Sequence, residues 1–222
     1  MDWWGLDREL FRALHLGYKA PWLDPVMLFI SFTGVGIVHA GALLCVALRD
    51  LRSYFIGALL LISVAVYYVG FKTGDSWVEL GVFALLLAIF WRLERRTCIE
   101  GIAAFLLSGG IHLILKAVSQ RDRPSNFLWS GPMESVYTTH SFPSGHATTA
   151  VAIGVIFLFS LENRALGWFA LLWAALVCLS RVYVGVHWPS DVLAAAGLGA
   201  SVAAAIKLYS LKKWPVLVSE YN

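Results

Sequence analysis

The amino-acid sequence predicts an all-α fold, a polytopic transmembrane helical bundle. Three observations predict it. Of the 222 residues, 59% are hydrophobic and only 14% are charged, whereas soluble domains carry roughly 25% charged residues. Several apolar runs approach or exceed the ~20 residues a helix needs to cross a bilayer. Ten Trp and eight Tyr suit aromatic belts at the two interfaces. One bundle accounts for this length, so residues 1–222 are read as a single transmembrane domain. The net charge of +3 fits a bias among loops better than a nucleic-acid surface, and no nucleic-acid partner is expected. Cys45, Cys98 and Cys178 lie far apart, in or beside apolar segments. They have no metal or redox spacing and read as packing residues.

The elements follow in order. The first residues include Asp2, Asp7 and Glu9 and show no compact apolar core with a cleavage site, so no removable signal peptide is expected. Residues 1–21 also place Trp3, Trp4, Leu6, Leu10, Phe11 and Leu14 at helical spacing. They predict an N-terminal amphipathic helix lying in the interface, with a plain soluble helix as the alternative. Pro21 and Pro25 precede the first span, Val26–Leu48, which has no formal charge. His39 within it reads as a packed or hydrogen-bonded side chain. Tyr54–Phe71 is a second apolar run, closed by a turn at Lys72–Ser76. Val82–Trp91 is apolar but short for a crossing. Ile99–Val118 is the next span, followed by a polar, aromatic loop, Ser119–Phe142. Gly145–Leu161, Ala165–Tyr183 and Ser190–Tyr209 are the late spans. The last is rich in the alanine and glycine that permit close helix packing.

Orientation follows from the basic residues, which favour the cytoplasmic side. Arg92, Arg95, Arg96, Arg164, Lys207, Lys212 and Lys213 are placed there. That puts 119–142 and 184–190 on the outer side. Six spans are expected, or seven if 77–91 also crosses. Six put the N-terminus inside and fit the charge rule; seven put it outside and fit hydropathy.

Three polar clusters sit at the outer ends of the late spans. Lys116 and Arg123 are seven residues apart, hence on one face if the helix persists towards Pro124. Two cations facing one site suit an anion such as phosphate; the plainer reading is a pair of snorkelling interface cations. Arg121 and Asp122 read as a local pair or loop contact. In Pro143-Ser144-Gly145-His146, Ser144 is a natural N-cap and Gly145 lets a ligand approach the backbone. The free N–H groups of that first turn suit an anion, and His146 is placed to give a proton to a leaving oxygen. The plainer reading is an ordinary cap with a solvent-facing histidine. In Ser180–Asp191, Pro189 suits the start of a helix, with His187 and Asp191 about one turn apart on one face. A carboxylate on one ring nitrogen fixes the tautomer and leaves the other free to react. A helix-capping aspartate beside an interfacial histidine is the alternative. Together with Arg181, the clusters provide charge neutralisation, a nucleophile held by a carboxylate, and an acid. Phosphoryl transfer through a covalent histidine needs these parts. No metal is required, and three cations would repel a dication.

Lys116-x6-Arg123-Pro124, Pro143-Ser144-Gly145-His146 and Ser180-Arg181-x5-His187-x3-Asp191 resemble the three-part signature of the type 2 phosphatidic acid phosphatase family. Order and spacings match throughout 116–191. The resemblance implies an integral membrane lipid phosphatase without metal or cofactor. His187 would form a phosphohistidine, Asp191 would orient it, and His146 would protonate the leaving group. Lys116, Arg123 and Arg181 would bind the phosphoryl oxygens, assisted by Ser144 and the Gly145 amide. Membrane lipids surround it, and its substrate would be a lipid phosphate such as undecaprenyl diphosphate, phosphatidylglycerophosphate, phosphatidic acid or a lipid A phosphate. The expected location is a bacterial inner membrane, with the active site facing the periplasm or exterior and the C-terminus cytoplasmic. The loop 125–142, with Phe127, Trp129, Met133 and Tyr137, would act as a partly buried lid. The first hundred residues add little beyond hydropathy.

Two rival classes are distinguishable. A lipid-phosphate binding or transport protein would bind headgroups without phosphate release. A bis-histidine haem protein using His39, His112 or His146 would show a Soret band and would leave Lys116, Arg123 and Arg181 unexplained. His112, one turn before Lys116, reads as a packed helix histidine or as a support for the site.

Overall fold

The structure, a computed structural model, describes residues 3–51, 59, 76–127, 131–133 and 140–213. Its elements are α1 (Trp3–Phe11), a π-helical turn (Arg12–Gly17), α2 (Asp24–Phe32), α3 (Gly36–Ala47), α4 (Ser76–Phe90), α5 (Arg95–Ser119), a 3-10 turn (Pro124–Asn126), α6 (Gly145–Ser160), α7 (Arg164–Tyr183) and α8 (Pro189–Lys213). There is no strand among the described residues. The all-helical class is as expected. The run Tyr54–Phe71 lies outside the described residues except for Leu59, as do Trp129 and Tyr137 of the loop.

Local signals set the boundaries. Proline occupies the first turns of α2 and α8, where a missing N–H does no harm. Asn163 caps α7, its side chain accepting from the amides of Ala165 at 3.0 Å and Leu166 at 3.3 Å. Gln120 ends α5 in the left-handed conformation, with φ 46°. Arg123 is extended before Pro124, as a residue preceding proline prefers.

A helix that is apolar on every side belongs in the middle of a bundle. α6 is that helix: residues 147–157 are all buried, and it packs against α5, α7, α8 and α3. Arg95–Asn126, α7 and α8 are long and apolar enough to cross a membrane. Counting α2 and α3 as one broken span makes four among the described residues, while Leu80–Phe90 and α6 are shorter apolar helices.

Val26–Leu48 is not the single straight helix expected of it. α2 and α3 meet at a 51° bend. The Thr33 hydroxyl donates to the Ile30 carbonyl at 2.6 Å and accepts from Trp173 Nε1 at 3.0 Å. Val35 is then extended before α3 starts. The hydroxyl competes for the backbone acceptor that helix continuation would use.

Buried polar groups mark both ends of the bundle. At one end Glu100 of α5 accepts from Lys207 of α8 at 2.8 Å, Arg96 at 3.1 Å, Ser160 of α6 at 3.2 Å, and Ser210. Lys207 is therefore a buried partner rather than the loop cation expected. Arg49, which donates to the carbonyls of Trp91 and Leu93, joins the segments after α3 and α4. At the other end the N-terminal segment is docked. His15 is buried and its Nδ1 donates to the Tyr183 carbonyl, while the Tyr183 hydroxyl donates to Asp24 at 2.8 Å. Phe11 packs on Trp188 with ring centroids 5.2 Å apart. Thus α1 sits at the end that carries residues 119–127 and 184–191.

Candidate active site

The polar residues of the three clusters meet at that end. His187 and Asp191 are brought together by a turn and not by one helix face, because α8 begins only at Pro189. The turn needs Gly185, whose φ of +85° strains any residue with a Cβ. The amides of Val186 and His187 both donate to the Arg181 carbonyl, at 3.3 and 3.2 Å. His187 Nδ1 then lies 3.5 Å from Asp191 Oδ2. That oxygen also accepts from the Trp188 amide at 2.9 Å and from the Ser141 hydroxyl.

The other ring nitrogen, Nε2, lies 3.2 Å from Arg123 Nη1. A guanidinium only donates, so Nε2 carries the lone pair and Nδ1 the proton. Burial, with Arg123, Arg181 and Lys116 nearby, holds the pKa of His187 well below the ordinary imidazole value. The ring is neutral near pH 7, as a nucleophile has to be.

Arg123 is 3% exposed and also donates to the Val186 carbonyl at 3.0 Å. Arg181 is buried and donates to Ser31 of α2. Lys116 is half-buried, and its field reaches Arg123, Asp191 and Arg181. Arg181, His187, Arg123 and Lys116 all bear electrostatically on His146. Lys116, Arg123, His146, Arg181, His187 and Asp191 thus lie near one another at this end of the bundle.

Ser144 departs from expectation. It stands at the N-cap position of α6, but its side chain makes no cap bond. Its amide instead donates to the Asp191 carbonyl at 3.3 Å, joining two clusters. Its buried hydroxyl has no partner among the described residues, and neither does His112 Nε2. Such groups call for a ligand or water. A Cβ on Gly145 would come within 3.1 Å of the His112 ring, so the histidine comes as close to this turn as glycine permits. His112 therefore faces the site as well as packing. His39 does not reach it: its Nδ1 bonds the Val35 carbonyl at 3.1 Å and its ring lies near Phe90.

Arg121 does not pair with Asp122. It bridges two carboxylates, Asp191 at 2.5 Å and Asp7 of α1. Asp122 instead accepts from Trp188 Nε1, through its carbonyl at 2.8 Å. In the loop, Phe127 packs edge-on to Trp188 and Met133 donates its amide to Val184 at 3.0 Å. A cavity of about 960 Å3 is lined in part by Trp4, Arg121, Phe142, Trp188 and Leu193, and no histidine among the described residues lines it. Lys116, Arg121, Arg123 and Arg181 against Asp7 and Asp191 leave a formal +2, suited to a phosphoryl dianion. Among the described residues no group of three His, Cys, Asp or Glu is placed to hold a metal ion. Sequence reading missed Asp7, Ser31 and Ser141 and misjudged Arg121; all act through contacts remote in sequence.

One end of this helical membrane bundle thus holds a buried histidine that faces an arginine on one side and a carboxylate on the other. The family model described as the PAP2 superfamily matches residues 99–215, just over half of the sequence, and the chain belongs to that superfamily. It is similar to an undecaprenyl-diphosphatase of Sulfolobus acidocaldarius, 37% identical over 135 residues. That match spans 60% of this chain and 63% of the relative, less than two thirds of its length. A decaprenylphosphoryl-5-phosphoribose phosphatase of Mycobacterium tuberculosis is 31% identical over 134 residues, 60% of this chain and 72% of that one. The crystal structure of LpxE from Aquifex aeolicus shares the fold, with a TM-score of 0.61 at 21% identity over 92% of this chain and 96% of that one.

Proposed function

We propose that this chain is an integral membrane phosphatase that hydrolyses a lipid phosphate or diphosphate through a phosphohistidine. One observation carries the reading: the Nε2 lone pair of His187 meets the Arg123 guanidinium at 3.2 Å, while Nδ1 faces Asp191. The nucleophilic atom thus points to where a cation would hold the phosphoryl group. On binding, Arg123, Arg181, Lys116 and the first amides of α6 take the phosphoryl oxygens. Nε2 attacks phosphorus and the bond to the leaving oxygen breaks. Asp191 stabilises the charge that develops on the ring. His146 gives the leaving oxygen its proton. Water then attacks the phosphohistidine, neutral His146 takes the water's proton, and inorganic phosphate leaves with His187 restored.

The named relatives act on polyprenyl-linked phosphates or diphosphates, and a polyprenyl phosphate or diphosphate is the substrate class proposed here. The loop bias of the basic residues supports a site on the outer face of a bacterial inner membrane and a cytoplasmic C-terminal segment. The exposure of Trp4, Leu6 and Leu10 on α1 supports a position on the outer interface. The docking of α1 at the site end supports the odd span count, seven, over six.

The test is phosphate release from a panel of lipid mono- and diphosphates. We expect turnover of a polyprenyl member, retained in EDTA and inhibited by vanadate, which mimics five-coordinate phosphorus. Headgroup binding without release would favour the non-catalytic lipid-phosphate protein, and strict dependence on added metal would overturn the mechanism.

A further inference from the structure

We infer that Asp7 of the first helix and Arg121 are positioning residues for the reaction: Asp7 holds Arg121 in place, and Arg121 sets the Asp191 carboxylate that orients His187. The inference rests on the reading of His187 as nucleophile. Arg121 Nη1 donates to Asp191 Oδ1 at 2.5 Å and to Ser190 Oγ at 2.7 Å, and Nη2 donates to Asp7 Oδ2. Asp7 also accepts from Ser190, at 3.0 Å from the amide and 2.7 Å from the hydroxyl. It thereby caps the helix that carries Asp191 from a position 183 residues away. The guanidinium lies over the Trp4 ring at 4.6 Å and near the Trp188 ring at 5.7 Å. Both contacts resist rotation of its planar fork.

Burial shows that this is a built arrangement. Asp7 is 3% exposed, although its neighbours Trp4, Leu6 and Leu10 are 39% exposed or more. Burying a carboxylate is unfavourable unless it is paired and hydrogen-bonded, and Arg121 and Ser190 meet that need.

The charges add a chemical reason. Arg121 alone would neutralise Asp191, the group that has to stabilise positive charge on the His187 ring. With Asp7 included, two carboxylates share one guanidinium and the trio keeps one negative charge. Asp7 therefore lets Arg121 fix the geometry of Asp191 without cancelling its field. This carboxylate lies outside the family-matched stretch, 99–215.

The test compares full-length variants in detergent micelles, on the lipid phosphate that the wild type turns over best. For Asp7→Asn we expect kcat about tenfold lower with KM within about twofold, the pattern for an interaction made in the transition state. The acid limb of its kcat/KM profile should move to lower pH, because a negative charge has left the trio beside His187. Arg121→Gln should also lose kcat, but its acid limb should move the opposite way, to higher pH. Arg121→Lys should keep the limb in place. The double variant should be no slower than Arg121→Gln, since the two act as one unit. Glu9→Gln, an exposed carboxylate of the same helix, should match wild type throughout.

Wild-type kcat and an unmoved limb in Asp7→Asn would overturn the inference, as would limbs that move the same way in both variants. If Asp7→Asn does not fold, an unmoved limb in Arg121→Gln overturns it. A wild type that releases phosphate from no lipid in the panel overturns the proposed function and this inference together. An active wild type with indifferent variants overturns this inference alone.

Discussion

Ser141→Ala separates the geometry of the site from its sequence pattern, because Ser141 belongs to none of the three clusters. Its side chain is fully buried. Its hydroxyl donates to Asp191 Oδ2 and lies 3.5 Å from His187 Nδ1, and its amide donates to the Arg121 carbonyl at 2.7 Å. A hydrogen bond to a charged group contributes about 1.5–3 kcal/mol. If all of that were lost in the transition state, the rate would fall about 10- to 150-fold. Asp191 keeps the Trp188 amide at 2.9 Å and Arg121, so the carboxylate stays placed but looser. We therefore expect the low end, about a tenfold loss of kcat with KM within about twofold. The assay is initial phosphate release at saturating lipid, with thermal unfolding in the same detergent as a check on folding. A folded Ser141→Ala protein with wild-type kcat would refute the view that this hydroxyl helps set the dyad.

Three further outcomes are expected. His187→Ala should abolish phosphate release while the protein still folds in detergent; near-normal turnover would remove His187 from the nucleophile role. Glu100→Ala strands Lys207 at the far end of the bundle, and breaking a buried pair costs about 3–5 kcal/mol. Its unfolding midpoint should drop while kcat at low temperature stays near wild type, and an unchanged midpoint would contradict the buried network. The third concerns pH. The depressed pKa of His187 means that the unfolded chain takes up a proton the folded ring refuses. Stability should therefore fall as pH drops below about 6.5, by at most about 1.4 kcal/mol per unit from this group. His187→Gln should flatten that fall in thermal unfolding measured from pH 7 to 5, and an identical slope would show that the ring is not buried neutral.

The helical class, the late helices and the chemical side chains were legible because they depend on local pattern. Hydropathy marks α5, α7 and α8. Pro189 and the Ser144-Gly145 step announce helix starts, and the spacing of the three clusters is readable as text. What stayed hidden depends on contacts between remote residues. Asp7 looks like one polar residue on an amphipathic helix, since nothing within 20 residues of it reveals Arg121. Ser141 and Ser31 are serines in unremarkable settings until folding sets them beside Asp191 and Arg181. Ser144 misled in the opposite direction. Its position suits capping, but the bonds of the 141–144 segment to Arg121 and Asp191 leave the hydroxyl without a cap bond. The bend at Thr33–Val35 escaped hydropathy because the hydroxyl that terminates α2 sits in an otherwise apolar run.

The buried ionic cluster around Glu100 has a mechanical consequence. It ties α5, α6 and α8 together at one end, while the chemistry sits at the other. Were these helices to part at the far end, the motion would be a tilt about Glu100 with leverage that grows along α5. At 1.5 Å per residue the arm from Glu100 to Lys116 is about 24 Å, and a tilt of about 5° displaces Lys116 by about 2 Å. Small angular play at the fastened end would thus be magnified at Lys116, as in a pair of tongs.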